Sequence, residues 1–325
     1  MKIIAVTRTW NDDDVIEPLV RHTAAFVDMH LVLDTGSTDA TVETLRNLRA
    51  EGLNLQVFES AAPIGAPSRF YTILYRLAHG GHGADWVFPV DPDSFIDPRG
   101  ALELRRMLEA VPADTVCVAA RRMIYVAPTE ASQGHVNPVR RLVRRLAEPA
   151  ASTGVVVRGG LPDHRLTMGP GHRSIVLDGA TLTGAPLGRL SLAQYPMRAP
   201  WQFAARAVAE RLRELATGEA EGAQSDRNNA GLMDDLRQRP QFWLSSTTEH
   251  ATRMIKDTSL VDDPLDYIGG ELTYTEPEPY EWRALKTLLP GLEKLATAHG
   301  AILDRNEALR DKAQRELYSV RLVVE

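Results

Sequence analysis

Leu31–Leu45 reads LVLDTGSTDATVETL. It opens on an apolar, β-prone run that stops at Asp34. Gly36 permits a tight turn, and Thr38 or Asp39 caps a helix whose periodic apolar residues run on to Gly52. A strand that ends in an acid, then a glycine turn and a capped helix, is one unit of a parallel sheet covered by helices. The unit repeats on both sides. KIIAVTR (2–8) is a first strand, and DDDVIEPLVRHTAAF (12–26) a helix with acids in its first turn, where they suit the helix dipole. LNLQVFES (53–60), ADWVFPV (84–90) and DTVCVAARRMIYV (114–126) are further strands. PSRFYTILYRLAHGG (67–81) and PRGALELRRMLEAV (98–111) are the helices between them. The chain is therefore expected to be α/β over residues 1–125.

Beyond this the alternation stops. Residues 126–200 are rich in Gly and Pro, with short β-like runs such as GVVVRG (154–159) and RSIVLDG (173–179), as in a small irregular sheet that carries loops. Residues 201–325 read as mainly helical, interrupted by a polar, loop-like stretch over 216–231. Their apolar periods fit packing on the same chain or a homodimer. There is no internal repeat.

Bulk properties narrow the function. A net charge of −6 gives no long-range attraction for nucleic acid. No window approaches the roughly 18 uninterrupted apolar residues of a membrane span, and MKIIAVTRTW is too short in apolar residues for a signal-peptide core, so a cytoplasmic protein is expected. Cys117 is the single cysteine and sits in an apolar run, which excludes an intrachain disulfide and reads as an inert buried thiol. RRLVRRL (140–146), drawn as a helix, puts four arginines on one face. That face is either solvated or meets a phosphate-bearing acceptor or an anionic membrane surface.

Ligands of an open α/β sheet bind at the carboxyl ends of its strands, and three ends here are acidic: RTWNDDD (8–14), Asp34, and DPDSF (91–95). Neither a dinucleotide-type glycine turn after the first strand nor a P-loop is present. Asp91 and Asp93, one residue apart around Pro92, either form a turn or aim carboxylate oxygens at a hard divalent cation. Taken in order, VTRTWNDDDVIEPLVRH (6–22), LVLDTGSTDATVETL and ADWVFPVDPDSFID (84–97) resemble the N-terminal half of the family-two glycosyltransferases. GHRSIVL (171–177) and LAQYPMRAPWQFAARAV (192–208) look like one branch of that family.

The resemblance implies a GT-A type, Rossmann-like mixed sheet flanked by helices. It implies an inverting transfer of sugar from a nucleotide-diphosphate sugar to an acceptor hydroxyl, assisted by Mg²⁺ or Mn²⁺. The acceptor stays open among glycan, lipid-linked and small-molecule hydroxyls. Carried over by position, Thr7, Arg8 and Asn11 line the nucleotide pocket, Asp34 reads base or ribose, and Asp91 approaches the sugar or ribose. Asp93 binds the metal, with His172 or His164 as its partner, because Gln194 stands where the family commonly places a histidine; Ser94 replaces a frequent acid. Arg158, Arg165, Arg173 and Arg198 are candidates for the diphosphate, Arg198 first among them. Asp163 is the general-base candidate. Two further readings remain: a phosphohydrolase with Asp91 as nucleophile, and a nonenzymatic nucleotide-sugar-binding module.

Overall fold

The structure, a computed structural model, describes residues 1–60, 67–101, 103–126, 135–162, 165–217, 233–234, 236–239 and 259–317. Four parallel strands carry its first half: β1 (Ile3–Thr9), β2 (Met29–Asp34), β3 (Leu55–Glu59) and β4 (Trp86–Pro89), in the order 3-2-1-4. Side chains alternate along β1. Ile3 and Ala5 pack with Ile16 and Leu19 of α1 (Ile16–Thr23) and Leu45 and Leu48 of α2 (Thr41–Ala50). Ile4 and Val6 face the other way, onto Phe70 and Leu74 of α3 (Pro67–Arg76). Both faces of the sheet are thus buried, as its near-continuous apolar strands require.

The sheet then turns mixed. A short β5 (Ser94–Ile96) follows β4 directly, and the helix expected over 98–111 is two short pieces, α4 (Pro98–Ala101) and α5 (Leu104–Glu109). The long β6 (Cys117–Val126) pairs antiparallel with β7 (Arg144–Leu146) and β8 (Gly154–Arg158), and parallel with β12 (Ala185–Met197). GVVVRG therefore lies in the main sheet. The small separate sheet is β9 (Leu166–Met168), β10 (Ile175–Leu177) and β11 (Ala180–Leu182). A last strand, β13 (Leu260–Asp262), pairs with β7. Cys117 is buried, and burial pushes its thiol up.

The basic stretch at 140–146 is not one helix. It divides into α6 (Pro138–Arg141) and β7, and its arginines are dispersed: Arg140 on Glu271, Arg141 on the Tyr280 hydroxyl, Arg144 on Asp262, Arg145 on Asp263. The acids of 12–14 also differ from expectation. They precede α1 instead of forming its first turn, and each meets a cation from the C-terminal half. Asp12 binds Arg206 of α7 (Pro200–Thr217) at 2.9 Å. Asp14 takes both Nε (2.6 Å) and Nη2 (2.8 Å) of Arg198, which is only 2% exposed. Asp13 pairs with Arg283 of α8 (Tyr280–Asp304). Two more contacts hold α8 to the strand ends: Thr38 Oγ1 donates to the Lys286 carbonyl at 3.1 Å, and Lys294 Nζ to that of Gly36 at 2.7 Å. The helix leaves Trp282, Leu285 and Leu289 exposed, and α9 (Glu307–Leu317) follows it. No helix among the described residues is long and apolar enough to cross a membrane.

Arg198→Ala would leave the Asp14 carboxylate buried without its partner, a change that costs about 3–5 kcal/mol in comparable sites. Urea denaturation is expected to show a lower midpoint with an unchanged slope.

Candidate active site

Asp91 lies just past β4, where the amide of Val90 still bonds Val6 of β1. The amide of Ser94 donates to the Asp91 carbonyl at 2.9 Å, so Asp91–Ser94 is a β-turn with Pro92 at its second position, where the fixed ring torsion suits it. Turn and site are the same object here. The amide of Tyr195 on β12 holds the Asp93 carbonyl at 2.8 Å.

The two acids are treated differently. Asp91, 32% exposed, accepts from the Tyr71 hydroxyl at 2.9 Å, and its other oxygen is 3.3 Å from His172 Nε2. The Tyr71 and His172 rings lie 4.7 Å apart. Burial and the adjacent Asp91 push the Tyr71 hydroxyl well above its ordinary value, so it stays a proton donor. Among the described residues Asp93 has a single weak side-chain hydrogen-bond partner, Ser94 Oγ at 3.3 Å. Burial and then the charge of Asp91 raise its pKa, against the pull of Arg206 and Arg198. A carboxylate so placed gains most from a cation.

His172 is held in place by an unusual backbone. It ends a short 3₁₀ turn, Pro170–His172, in which Gly171 (φ 59°) and His172 (φ 41°) are both left-handed. For a non-glycine residue this conformation is costly and persists where the surroundings enforce it.

Three arginines share the compartment. Burial and then Arg173 lower the pKa of Arg122, while Asp91 and Asp93 raise it. Arg122 donates to Ser152 Oγ at 2.7 Å and to the Gln194 side-chain oxygen. Arg206 resists burial through Asp12 and Asp93. Arg173 is exposed at the rim. Such a set of fixed donors matches a diphosphate better than a neutral ligand.

The structure places the expected residues unevenly. His172 lies against Asp91, and the charge of Asp91 acts on Asp93. Arg8 is close by, with its guanidinium 5.9 Å from the Phe70 ring and 3.9 Å from Glu210. Thr7 is a correction: fully buried, it bonds His30 Nε2 and the Val90 carbonyl, both at 2.8 Å, which leaves its hydroxyl committed inside the sheet. Asp34 is spent on its own turn, accepting from the amides of Gly36 (2.8 Å) and Ser37 (3.0 Å) and from Ser37 Oγ (2.5 Å), with Gly36 at φ 91°. Asn11 ties that turn to β1 by accepting from the Thr38 amide at 2.7 Å. The Arg198 guanidinium is committed to Asp14 by two hydrogen bonds, and only its charge acts on Asp93. Arg158 stacks on Trp86 at 4.4 Å, Arg165 pairs with Asp178, and Arg173 lies near enough to Arg122 for their charges to act on one another. Asp163 and His164 lie outside the described residues, as does the polar stretch from 218 to 231.

Sequence reasoning missed Tyr71, Arg122 and Arg206. Arg122 had a signal, a charge in the middle of an apolar strand; Arg206 had a weaker one, four residues from Gln202 on a polar helix face. Tyr71 had none.

No family model matches this sequence, and no curated protein matches it. Solved structures similar to the chain include Staphylococcus aureus TarS (residues 1–349) with UDP-GlcNAc: 15% identity, 79% of this chain and 76% of that chain covered, TM-score 0.40. A second is the mannosyltransferase PcManGT of Pyrobaculum calidifontis with GDP-Man and Mn²⁺, at 14% identity, 98% and 84% coverage and a TM-score of 0.36. A third is glucosyl-3-phosphoglycerate synthase of Mycobacterium tuberculosis, at 16% identity, 59% and 71% coverage and a TM-score of 0.33.

One acid of the anchoring run has a pH consequence. Burial, and then the charge of Asp39, raise Asp13 from 3.8 to about 7, although Arg283 opposes this. The folded protein therefore holds this proton more tightly than the unfolded chain. The group's contribution to stability is complete below about pH 4 and is lost as pH rises through about 7. Asp13→Asn cannot ionise, so its stability relative to the parent is expected to increase from pH 5 to pH 8 in urea titrations. A gap independent of pH would contradict this.

Proposed function

We propose that the chain is an inverting glycosyltransferase of GT-A type that moves a sugar from a nucleotide-diphosphate sugar to an acceptor hydroxyl with divalent-metal assistance. One observation carries the reading. A proline turn at the carboxyl end of β4 sets Asp91 and Asp93 within the electrostatic reach of Arg122 and Arg206, and Asp93 is left short of positive charge.

The donor set fits Mg²⁺ or Mn²⁺. Asp93 offers carboxylate oxygens with little competing bonding, and the His172 imidazole lies across Asp91 from Tyr71. Among the described residues no three His, Cys, Asp or Glu side chains form a cage, so this reading needs diphosphate oxygens and water to complete the shell. A bound metal would act as a Lewis acid that neutralises the leaving diphosphate.

The chain's own residues supply the rest. Arg122, Arg173 and Arg206 hold diphosphate oxygens, while Arg8 and Asn11 border the nucleoside end. Asp91, fixed by Tyr71 and His172, orients the sugar. The acceptor oxygen attacks the anomeric carbon as the bond to diphosphate breaks, and a base takes the acceptor's proton. Asp163 is proposed for that base from its sequence position. The phosphohydrolase alternative fares worse, because both oxygens of its nucleophile, Asp91, are engaged by Tyr71 and His172.

Thermal unfolding with UDP, GDP and dTDP, with and without Mn²⁺, tests the proposal. One nucleotide diphosphate at about 100-fold its Kd is expected to stabilise the protein by about 2.7 kcal/mol, only with metal, and not in Asp93→Ala. Stabilisation that ignores both metal and substitution would point to the nonenzymatic binding module. No stabilisation by any of them would remove both readings.

A further inference from the structure

Adjacent residues of a strand project to opposite faces. On β6, Arg122 turns toward Gln194 and the acid pair, and Arg121 turns away from them, into a separate cavity of about 290 Å³. Four guanidinium groups line that cavity: Arg99, Arg121, Arg145 and Arg189. Only two carboxylates, Asp97 and Asp263, lie among them.

These six groups divide by role. Arg99 is held by Asp97 (Nη2 to Oδ2, 2.9 Å) and Asp263 (Nη1 to Oδ1, 2.5 Å), and Arg145 by Asp263 at 2.6 Å, so both acids are already spent on these two arginines. Arg121 and Arg189 are exposed, and their side chains make no hydrogen bond or ion pair among the described residues. The wall is rigid where they meet: Ser191 pairs with Arg121 in the β6–β12 register, and the Ser191 carbonyl accepts from the Asp97 amide at 2.9 Å. Gly100 sits against the Arg189 backbone so closely that a Cβ there would lie 2.3 Å from its carbonyl oxygen.

Two unpaired arginines beside two paired ones leave this cavity with a net positive charge on a chain whose total is −6. Like charges kept together in a concave site repel one another unless an anion sits between them. A planar guanidinium with both faces of its fork free is the side chain best matched to phosphate oxygens. We propose that this cavity is a second anion site, distinct from the acid pair, which takes a phosphoryl or diphosphoryl group through Arg121 and Arg189.

Inorganic pyrophosphate is the probe, titrated calorimetrically into the full chain with EDTA present and ionic strength held constant with NaCl. Binding by the parent is expected to weaken at least about tenfold in Arg121→Gln/Arg189→Gln. A control that removes the same charge elsewhere, Arg46→Gln/Arg106→Gln, is expected to bind as the parent does. Modification of the unaltered protein by phenylglyoxal, read by peptide mass spectrometry, needs no variant to fold. Arg121 and Arg189 are expected to react, and pyrophosphate to protect them. Undiminished affinity in the double variant, no binding by the parent, or modification of these two arginines unaffected by pyrophosphate would each overturn the proposal.

Discussion

Asp12, Asp13 and Asp14 meet Arg206, Arg283 and Arg198 in succession, and the placement of the C-terminal half against the strand ends depends on them. Burying the Asp12 and Asp14 carboxylates would be prohibitive without cations. The cations come from segments some two hundred residues further on, so the run decides where the C-terminal half docks. Arg198 and Asp14 form its inner, most desolvated pair, with burial opposing both charges and each partner restoring the other. Specific docking is the benefit of such a pair more than net stability. Arg206 reaches the cleft because Asp12 holds it there, and α8 crosses the turn after β2 because Asp13 holds Arg283.

The cleft is built on the same electrostatic logic with one charge left over. Asp91 has its hydroxyl and imidazole partners, whereas Asp93 has burial and a like-charged neighbour. Arginines surround the pair without directly neutralising it. A site that leaves Asp93 short of positive charge, with the guanidinium groups of Arg122 and Arg206 nearby, suits a ligand that brings both a cation and a polyanion. The cavity on the far side of β6 has the opposite imbalance, and a single strand separates the two.

Much of this was legible in the sequence because local patterns wrote it. The parallel half follows from strand, acid and capped helix in succession, and Asp91, Asp93 and Gly36 are where that pattern puts them. What failed to read locally was decided by distant partners. Thr7 looks like a strand-end ligand until β4 and His30 close over it. Arg198 looks like an anion ligand until Asp14, from the opposite end of the chain, takes it. RRLVRRL carries a helical spacing, yet pairing with Asp262 and Asp263 favours an extended β7. The Asp34 motif read correctly as a turn, and its carboxylate is consumed in making that turn.

The central claim is that Asp93 and the surrounding arginines hold a metal–diphosphate unit. Crystals grown with the nucleotide diphosphate that stabilises the protein, together with Mn²⁺, test it through the anomalous signal of manganese. One peak bonded to an Asp93 oxygen is expected, with diphosphate density between it and Arg122, Arg173 or Arg206. Nucleotide bound in the cleft with no manganese at Asp93, or manganese ordered elsewhere, would contradict it.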